Sequence, residues 1–217
     1  MDAYEKYRRD SDINKILDTI NDMQKGIFSA CHGQYHAMFV VDTAEYILQS
    51  LSYDSRTVEL GKIAALLHDI GNIAGRRDHA RKSAALTAVF LDGQCSAFAP
   101  EEKNMVIQAI KDHSGGKNIC SAVGATLLIA DKVDISYKRV LPLEHIDAWH
   151  KNLLEIKDVD LHVSENTIKI NYVTTESFSK DLLISGYAKG FHLPMKAAGY
   201  LDCSCQFQFN GQEEKFG

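Results

Sequence analysis

The spacing of apolar residues predicts helices over the first two thirds of the chain. Apolar side chains over residues 13–28 recur every three or four positions and form one stripe behind a cap at Ser11 and Asp12. The segment Ile63–Leu67 is apolar on all sides, so its helix is expected to be buried and to end at Gly71. The same spacing predicts further helices over about 36–51, 55–70, 79–91, 99–113 and 122–130, and another after Pro142 that carries Ile146, Trp149 and Leu153.

Beyond Ile156 the apolar period changes from that of a helix to the alternation of strands. Apolar residues alternate with polar ones over 159–163 and again over 168–172, which predicts a hairpin. A helical stretch follows at about 178–187, and Gly190 and Pro194 are expected to break it. A third strand is predicted over 203–209, with Asn210-Gly211 as its terminating turn.

These patterns predict a mainly α protein in two parts. Residues 1–155 would form a helical domain, and residues 156–217 a small α+β extension packed on it, built of antiparallel strands plus a helix.

The composition is that of an ordinary globular protein. The 217 residues are 45% hydrophobic and include 14 Gly and only 3 Pro, which excludes collagen-like and largely disordered chains. A net charge of −5 indicates no evident nucleic-acid surface, and the absence of a long apolar run indicates no membrane span. Five scattered cysteines without a secretion signal predict reduced thiols and a cytoplasmic location.

The His68-Asp69 pair stands at the end of the helix that is apolar on all sides. Burying two titratable groups is costly unless a partner satisfies them. A divalent metal ion would do so, and so would a purely structural hydrogen-bonded network. Asp131 follows another apolar helical segment and brings a second acid into the same kind of setting.

Three further histidines, His36, His79 and His113, also lie at predicted helix ends. Taken singly, each is interpreted more simply as a cap or a surface group. Helix ends can nevertheless converge on one point, where a cavity and a metal ion can sit. The nine histidines of the chain therefore matter through their positions rather than their number.

The ordered set His36…His68-Asp69…Asp131 resembles the HD superfamily of metal-dependent phosphohydrolases, whose signature is close to Leu66-Leu67-His68-Asp69-Ile70-Gly71. His79 and His113 match the extra histidines of the subset that binds two metals, which includes bacterial diadenosine tetraphosphate hydrolases. The resemblance spans residues 36–131, implies an HD-type helical domain, and leaves the tail after Ile156 uncovered. One departure is Asn72, where the family often has Lys.

The resemblance implies a site for two divalent metal ions. His36, His68 and Asp131 would hold one ion, and Asp69 would bridge to a second held by His79 and His113. Imidazole and carboxylate ligands suit iron, manganese, zinc, nickel or magnesium, so they do not identify the metal. Two such ions can bind a hydroxide and neutralise phosphate charge during in-line attack. The resemblance therefore implies catalytic roles for His68 and Asp69 as residues that hold these ions.

The implied substrate is a small phosphorylated molecule, with a nucleotide as the first candidate. Six cationic side chains near the motifs are either phosphate contacts or solvated surface charges: Arg76, Arg77, Lys82, Lys117, Lys138 and Arg139. His32 is a candidate supporting group for the site, whereas Trp149 and Tyr172 are interpreted as core residues rather than substrate-stacking groups. A homodimer is left open.

Two other functions compete with phosphohydrolysis. A similar order of ligands occurs in di-iron oxygenases of the same superfamily, which include inositol oxygenase. A non-catalytic nucleotide sensor is the other alternative, motivated by Asn72 and by the uncovered tail.

Overall fold

The computed structural model describes residues 2–25, 30–93, 97–141 and 146–216. Over these residues the chain is mainly α, as predicted, with a small sheet near its C-terminal end. The helices are α1 (Ala3–Arg8), α2 (Ser11–Gln24), α3 (Gln34–Ser50), α4 (Ser55–Leu67), α5 (His79–Asp92), α6 (Pro100–Asp112), α7 (Ala122–Val133), α8 (Ala148–Leu153), α9 (Lys180–Gly186) and α10 (Ala188–Tyr200). The strands are β1 (Ile156–Ser164), β2 (Thr167–Thr174), β3 (Ser204–Phe209) and β4 (Gln212–Glu214).

Helix α4 lies at the centre of the helical part, as its apolar sequence predicts. Residues 63–67 are all buried, and α4 packs against α1, α3, α6 and α7. The helix ends at Leu67, before the predicted end at Ile70, and the chain then forms a 3₁₀ turn over Ile70–Ala74. Gly71 lies inside that turn because α5 approaches it closely: a Cβ at this position would lie 2.3 Å from the backbone nitrogen of Ser83.

The helix starts differ from their predicted positions by small steps. Asp10, rather than Ser11 or Asp12, caps α2, since its carboxylate accepts from the backbone N–H groups of Asp12 and Ile13. Asp54 caps α4 in the same way. Helix α1 was not predicted, because its 6 residues are too few to show an apolar period. Ile27 and Phe28, which belong to the first predicted helix, and Pro142, which precedes the last helix of the predicted helical domain, lie outside the described residues.

The predicted hairpin of β1 and β2 is confirmed as antiparallel, but β3 pairs with β2 in parallel, with Ile170 opposite Phe207. The expectation of antiparallel strands throughout was therefore wrong for this pair. The cause lies in the connection: α9 and α10 separate β2 from β3 and carry the chain back to the other end of the sheet. Asn210 and Gly211, both at positive φ, turn the chain into β4 rather than ending the strands.

Helix α10 runs through Gly190 and Pro194, which were expected to break it. Burial overrides local propensity here, since Phe191, Ala197 and Ala198 are fully buried in the core that α10 shares with α7 and the sheet. The domain boundary at residue 155 stays a prediction. In the described part of the chain, no helix has the length and apolar character needed to cross a membrane.

Candidate metal centre

Six side chains that the sequence singled out meet at the ends of five helices. His36 lies in the first turn of α3, and His79 is the first residue of α5. His68 and His113 cap the C-terminal ends of α4 and α6, and Asp131 lies in the last turn of α7. Asp69 follows His68 at the start of the 3₁₀ turn. Ligand atoms of these six residues form three overlapping groups, each of which could hold a metal ion. The groups are His36, His68 and Asp69; His68, His113 and Asp131; and Asp69, His79 and His113.

The first half of the cluster, made of His36, His68, Asp131 and Oδ2 of Asp69, is buried. Nε2 of His36 lies 3.2 Å from Nε2 of His68 and 3.2 Å from Oδ1 of Asp131. Oδ2 of Asp69 lies 3.4 Å from Nε2 of His68 and 3.7 Å from Nε2 of His36. Two imidazoles and two carboxylates thus face one point.

The second half lies on the other side of Asp69. Nε2 atoms of His79 and His113 are 3.2 Å apart, and Oδ1 of Asp69 lies 3.5 Å from the former and 3.7 Å from the latter. One oxygen of Asp69 therefore faces each pair of histidines. This arrangement is what a carboxylate that bridges two ions requires.

The opposite ring nitrogens of these histidines fix which nitrogen points into the cluster. Nδ1 of His68, His79 and His113 faces the carbonyl oxygens of Ala65, Arg76 and Ile110, at 2.7, 3.1 and 2.6 Å. Because a carbonyl oxygen only accepts, each of these Nδ1 atoms carries a proton and donates it. In the neutral rings, Nε2 then turns a lone pair toward the centre.

His36 is oriented by a carboxylate that the sequence analysis missed. Its Nδ1 donates to Oδ2 of Asp134 at 2.7 Å, and both side chains are fully buried. Asp134 is held near Arg139, whose Nη1 donates to the Asp134 carbonyl at 2.8 Å and whose Nε donates to the Cys31 carbonyl at 3.0 Å. The spacing Asp131-x-x-Asp134 was a usable signal, since residues three apart share a helix face.

The electrostatics of the cluster keep its acids ionised. Burial by itself raises the pKa of Asp69, but the adjacent imidazoles of His68 and His113 outweigh that effect and bring the pKa well below its usual range. The pKa of Asp131 is also well below its usual range, because Lys132 and His36 outweigh the effect of burial. Burial lowers the pKa of His79, which favours the neutral ring that a metal ligand needs.

This donor set fits divalent ions. Neutral imidazole lone pairs 3.2 Å apart repel each other unless a proton or a cation lies between them. Oδ1 of Asp69 is buried and accepts no hydrogen bond from the described residues. A cation shared by these atoms satisfies both requirements, and imidazole with carboxylate is a common ligand set for transition metals. The number and the identity of the ions stay predictions.

A cavity of about 710 Å³ opens onto the cluster. Asp69, His79, His113 and Asp131 form part of its wall. Four cationic side chains also line it: Arg76, Lys132, Arg139 and Lys189. The ligand cluster and a set of positive charges thus share one solvent-filled space.

The predicted phosphate contacts separate into two groups. Arg76 and Arg139 line the cavity, whereas Arg77, Lys82, Lys117 and Lys138 are not part of its lining. The Lys82 ammonium donates to the carbonyls of Ala74 and Gly75 and so closes the loop before α5. Lys132 and Lys189 were missed. Lys132 follows Asp131 directly in the sequence and pairs with its carboxylate, whereas only the fold brings Lys189 to the cavity.

His32 and Asn72 hold other residues of the site in position. His32 is buried beside Gln24, which accepts from its Nδ1 at 3.2 Å, and Nε2 of His32 accepts from the Arg76 guanidinium. His32 therefore orients a cavity cation and stands apart from the ligand groups. Asn72 donates to the Asp69 carbonyl at 3.0 Å and helps fix the turn that carries Asp69.

Comparison with known proteins gives one family match and one similar structure. Residues 33–139 match the family model of the HD domain. Among solved structures, the chain is similar to the crystal structure of a predicted HD superfamily hydrolase from an uncultured Thermotogales bacterium. The two share 26% sequence identity over 63% of this chain and 75% of that chain, with a TM-score of 0.45. No curated protein matches the chain.

Proposed function

We propose that the protein is a metal-dependent phosphohydrolase that cleaves a phosphoester or phosphoanhydride bond of a small phosphorylated molecule, with a nucleotide as the first substrate to test. The observation that carries this proposal is the shared cavity. Asp69, His79, His113 and Asp131 line it together with Arg76, Lys132, Arg139 and Lys189. An HD domain with clustered metal-ligating groups supports the same reaction class.

The roles of the side chains follow from their positions. His36, His68 and Asp131 would hold one ion, His79 and His113 a second, and Asp69 would bridge the two. When bound, such ions activate water and neutralise charge on a phosphate. The guanidinium groups of Arg76 and Arg139 can bind phosphate oxygens through paired N–H donors.

Two of the cations are already oriented before a substrate arrives. Nε and Nη1 of Arg139 are held by backbone carbonyls, and its Nη2 lies 3.2 Å from Nε2 of His36 at the edge of the ligand cluster. Arg76 is held by His32. Such preorganised charges stabilise developing negative charge without having to move during the reaction.

The test is a substrate panel for the full chain loaded separately with manganese, iron, zinc, nickel and magnesium. The panel contains nucleoside mono-, di- and triphosphates, diadenosine tetraphosphate, and generic phosphomonoesters and phosphodiesters. We expect release of phosphate or of a nucleotide that Asp69→Asn abolishes. The matched control Asp22→Asn, at an exposed position, should retain full activity.

Two outcomes would replace the proposal. Iron-loaded protein that consumes dioxygen and releases no phosphate would support a di-iron oxygenase. Tight nucleotide binding with no turnover under any metal would support a sensor. The likeness to diadenosine tetraphosphate hydrolases is tested by the same panel.

A further inference from the structure

The cavity has a second wall that differs from the metal-bearing one. Trp149, His150 and Leu153 come from α8, Tyr187 is the residue that precedes α10, and Leu193 lies in the middle of α10. Most side chains on this wall are aromatic or apolar, with Ser185 and Lys189 as polar members, and all of them lie outside the matched HD-domain residues 33–139. The part of the chain beyond the family match therefore forms one side of the candidate site.

Tyr187 connects this wall to the metal-bearing side. Its hydroxyl donates to the backbone carbonyl of Lys132 at 3.1 Å, next to the ligand Asp131. Its ring also packs edge-on against the buried Phe191, with centroids 6.2 Å apart. The tyrosine thus has a fixed position relative to the ligand cluster.

Trp149 extends the aromatic surface beside Tyr187. The two ring centroids are 6.2 Å apart, and His150 lies edge-on to the indole at 4.9 Å. Gly186 determines where the indole can lie, because a Cβ at that position would be 2.1 Å from Nε1 of Trp149. Asn152 on α8 exchanges two hydrogen bonds with the backbone of Ser179, which ties α8 to the start of α9.

The interpretation of Tyr172 and Trp149 as core residues holds fully for Tyr172, whereas Trp149 packs partly on the same core and also lines the cavity. Tyr172 is fully buried and stacks near Phe207 and Phe209 in the core. Trp149 is half-buried and lines the cavity. An aromatic side chain that lines a cavity beside cations and candidate metal ligands can contact an apolar part of a bound molecule.

We propose that Trp149 and Tyr187 form an aromatic subsite that binds a planar ring of a phosphate ester while the cations and metal ligands hold its phosphate. The inference rests on the proposed function and specifies its substrate class. A cavity of about 710 Å³ is within the usual range for small-molecule sites. A molecule with a charged end and a flat, aromatic end matches both walls, and nucleotides have this form.

The kinetic test compares two substrates that differ only in the planar ring. Adenosine 5′-monophosphate and ribose 5-phosphate carry the same phosphoester, so the ratio of their kcat/KM values reports the ring alone. We expect the wild type to prefer the nucleotide by about tenfold or more, the scale of one base stacked on an aromatic side chain. Trp149→Ala should reduce this ratio about tenfold through KM, leave ribose 5-phosphate hydrolysis within about twofold, and be rescued in large part by Trp149→Phe.

Gly186→Ala provides a second, independent perturbation. It leaves both rings in the chain but moves the indole from its position. We expect it to lower the same ratio. The matched control is Tyr200→Ala, which removes an exposed aromatic side chain from the far end of α10 and should change nothing.

A binding measurement separates this inference from the proposed function. Trp149 is the single tryptophan of the chain, so intrinsic fluorescence excited at 295 nm reports this residue alone. Adenosine 5′-monophosphate should quench this fluorescence saturably, and ribose 5-phosphate should not.

Quenching without hydrolysis of any substrate would support the aromatic subsite and overturn the proposed phosphohydrolase activity. Equal turnover of both compounds, unchanged in Trp149→Ala and without quenching, would overturn the subsite and leave the phosphohydrolase standing. Absence of both quenching and turnover would overturn both.

Discussion

Replacing Asp134 with Asn is expected to weaken metal binding although Asp134 faces no metal position itself. Its carboxylate is fully buried and accepts from Nδ1 of His36 at 2.7 Å, while its other neighbour is the Arg139 guanidinium, with Nε 3.9 Å away. Asn keeps the size and an acceptor oxygen but removes the negative charge. The imidazole of His36 then becomes a weaker donor of electrons at Nε2, and its orientation is less strictly fixed.

The magnitude follows from the kind of contact. Loss of a carboxylate that orients a metal-bound histidine typically lowers metal affinity by about 10- to 100-fold, which corresponds to about 1.4–2.7 kcal/mol. Asp134→Ala is a poorer test, because it removes the acceptor of the buried His36 Nδ1–H as well as the carboxylate that faces Arg139. The Asn variant keeps that acceptor, and the stability of the metal-free protein measures the effect of the lost charge on folding.

The assay is calorimetric titration of metal-free protein with manganese or zinc, paired with thermal unfolding of the same metal-free samples. Asp22→Asn serves as the control, since Asp22 pairs with Lys25 on the exposed surface. We expect Asp134→Asn to lose metal affinity in excess of any loss of metal-free stability. Affinity within about twofold of wild type in a folded Asp134→Asn protein would refute a role for Asp134 in tuning His36.

Three further predictions concern the ligand groups, the turn and the cysteines. His79→Ala removes a proposed ligand that faces only one oxygen of Asp69. Elemental analysis should therefore show a loss of one metal ion per chain and not of all bound metal. Complete loss of metal would mean that the two halves of the cluster do not bind ions separately. Gly71→Ala replaces no ligand, but its Cβ would lie 2.3 Å from the backbone of α5, so it should destabilise the fold and abolish metal binding. In Gly199→Ala, the control, the added Cβ meets nothing within 4 Å, so thermal unfolding should show unchanged or greater stability. Burial raises the pKa of the Cys205 thiol to about 12, so at pH 8 little thiolate forms there. Site-resolved mass spectrometry should then show iodoacetamide modifying the exposed Cys120 well before Cys205, and equal rates would contradict the raised pKa of the Cys205 thiol.

What the sequence predicted well depended on local patterns. The helical period located α4 and its burial, and alternation located the β1–β2 hairpin. The candidate ligands were named through the resemblance of their ordered set to the HD superfamily; the fold brings all six together, and their role as ligands stays a prediction. The errors arose where tertiary packing determines the secondary structure. Pro194 was expected to break a helix, but it lies inside α10 because the buried Phe191 side of that helix packs on α7 and the sheet.

The features that sequence reasoning missed are those that join distant parts of the chain. Lys189 shares a cavity with Asp69 although 120 positions separate them, and Tyr187 bonds to Lys132 across 55 positions. No periodicity or motif encodes such a contact, because it exists only once α10 has packed on α7. The matched HD-domain residues 33–139 carry every proposed ligand, whereas the aromatic wall lies entirely beyond them. We therefore expect substitutions in the HD domain to change metal binding and catalysis for all substrates alike, and substitutions in α8 and at the start of α10 to change which substrate is chosen.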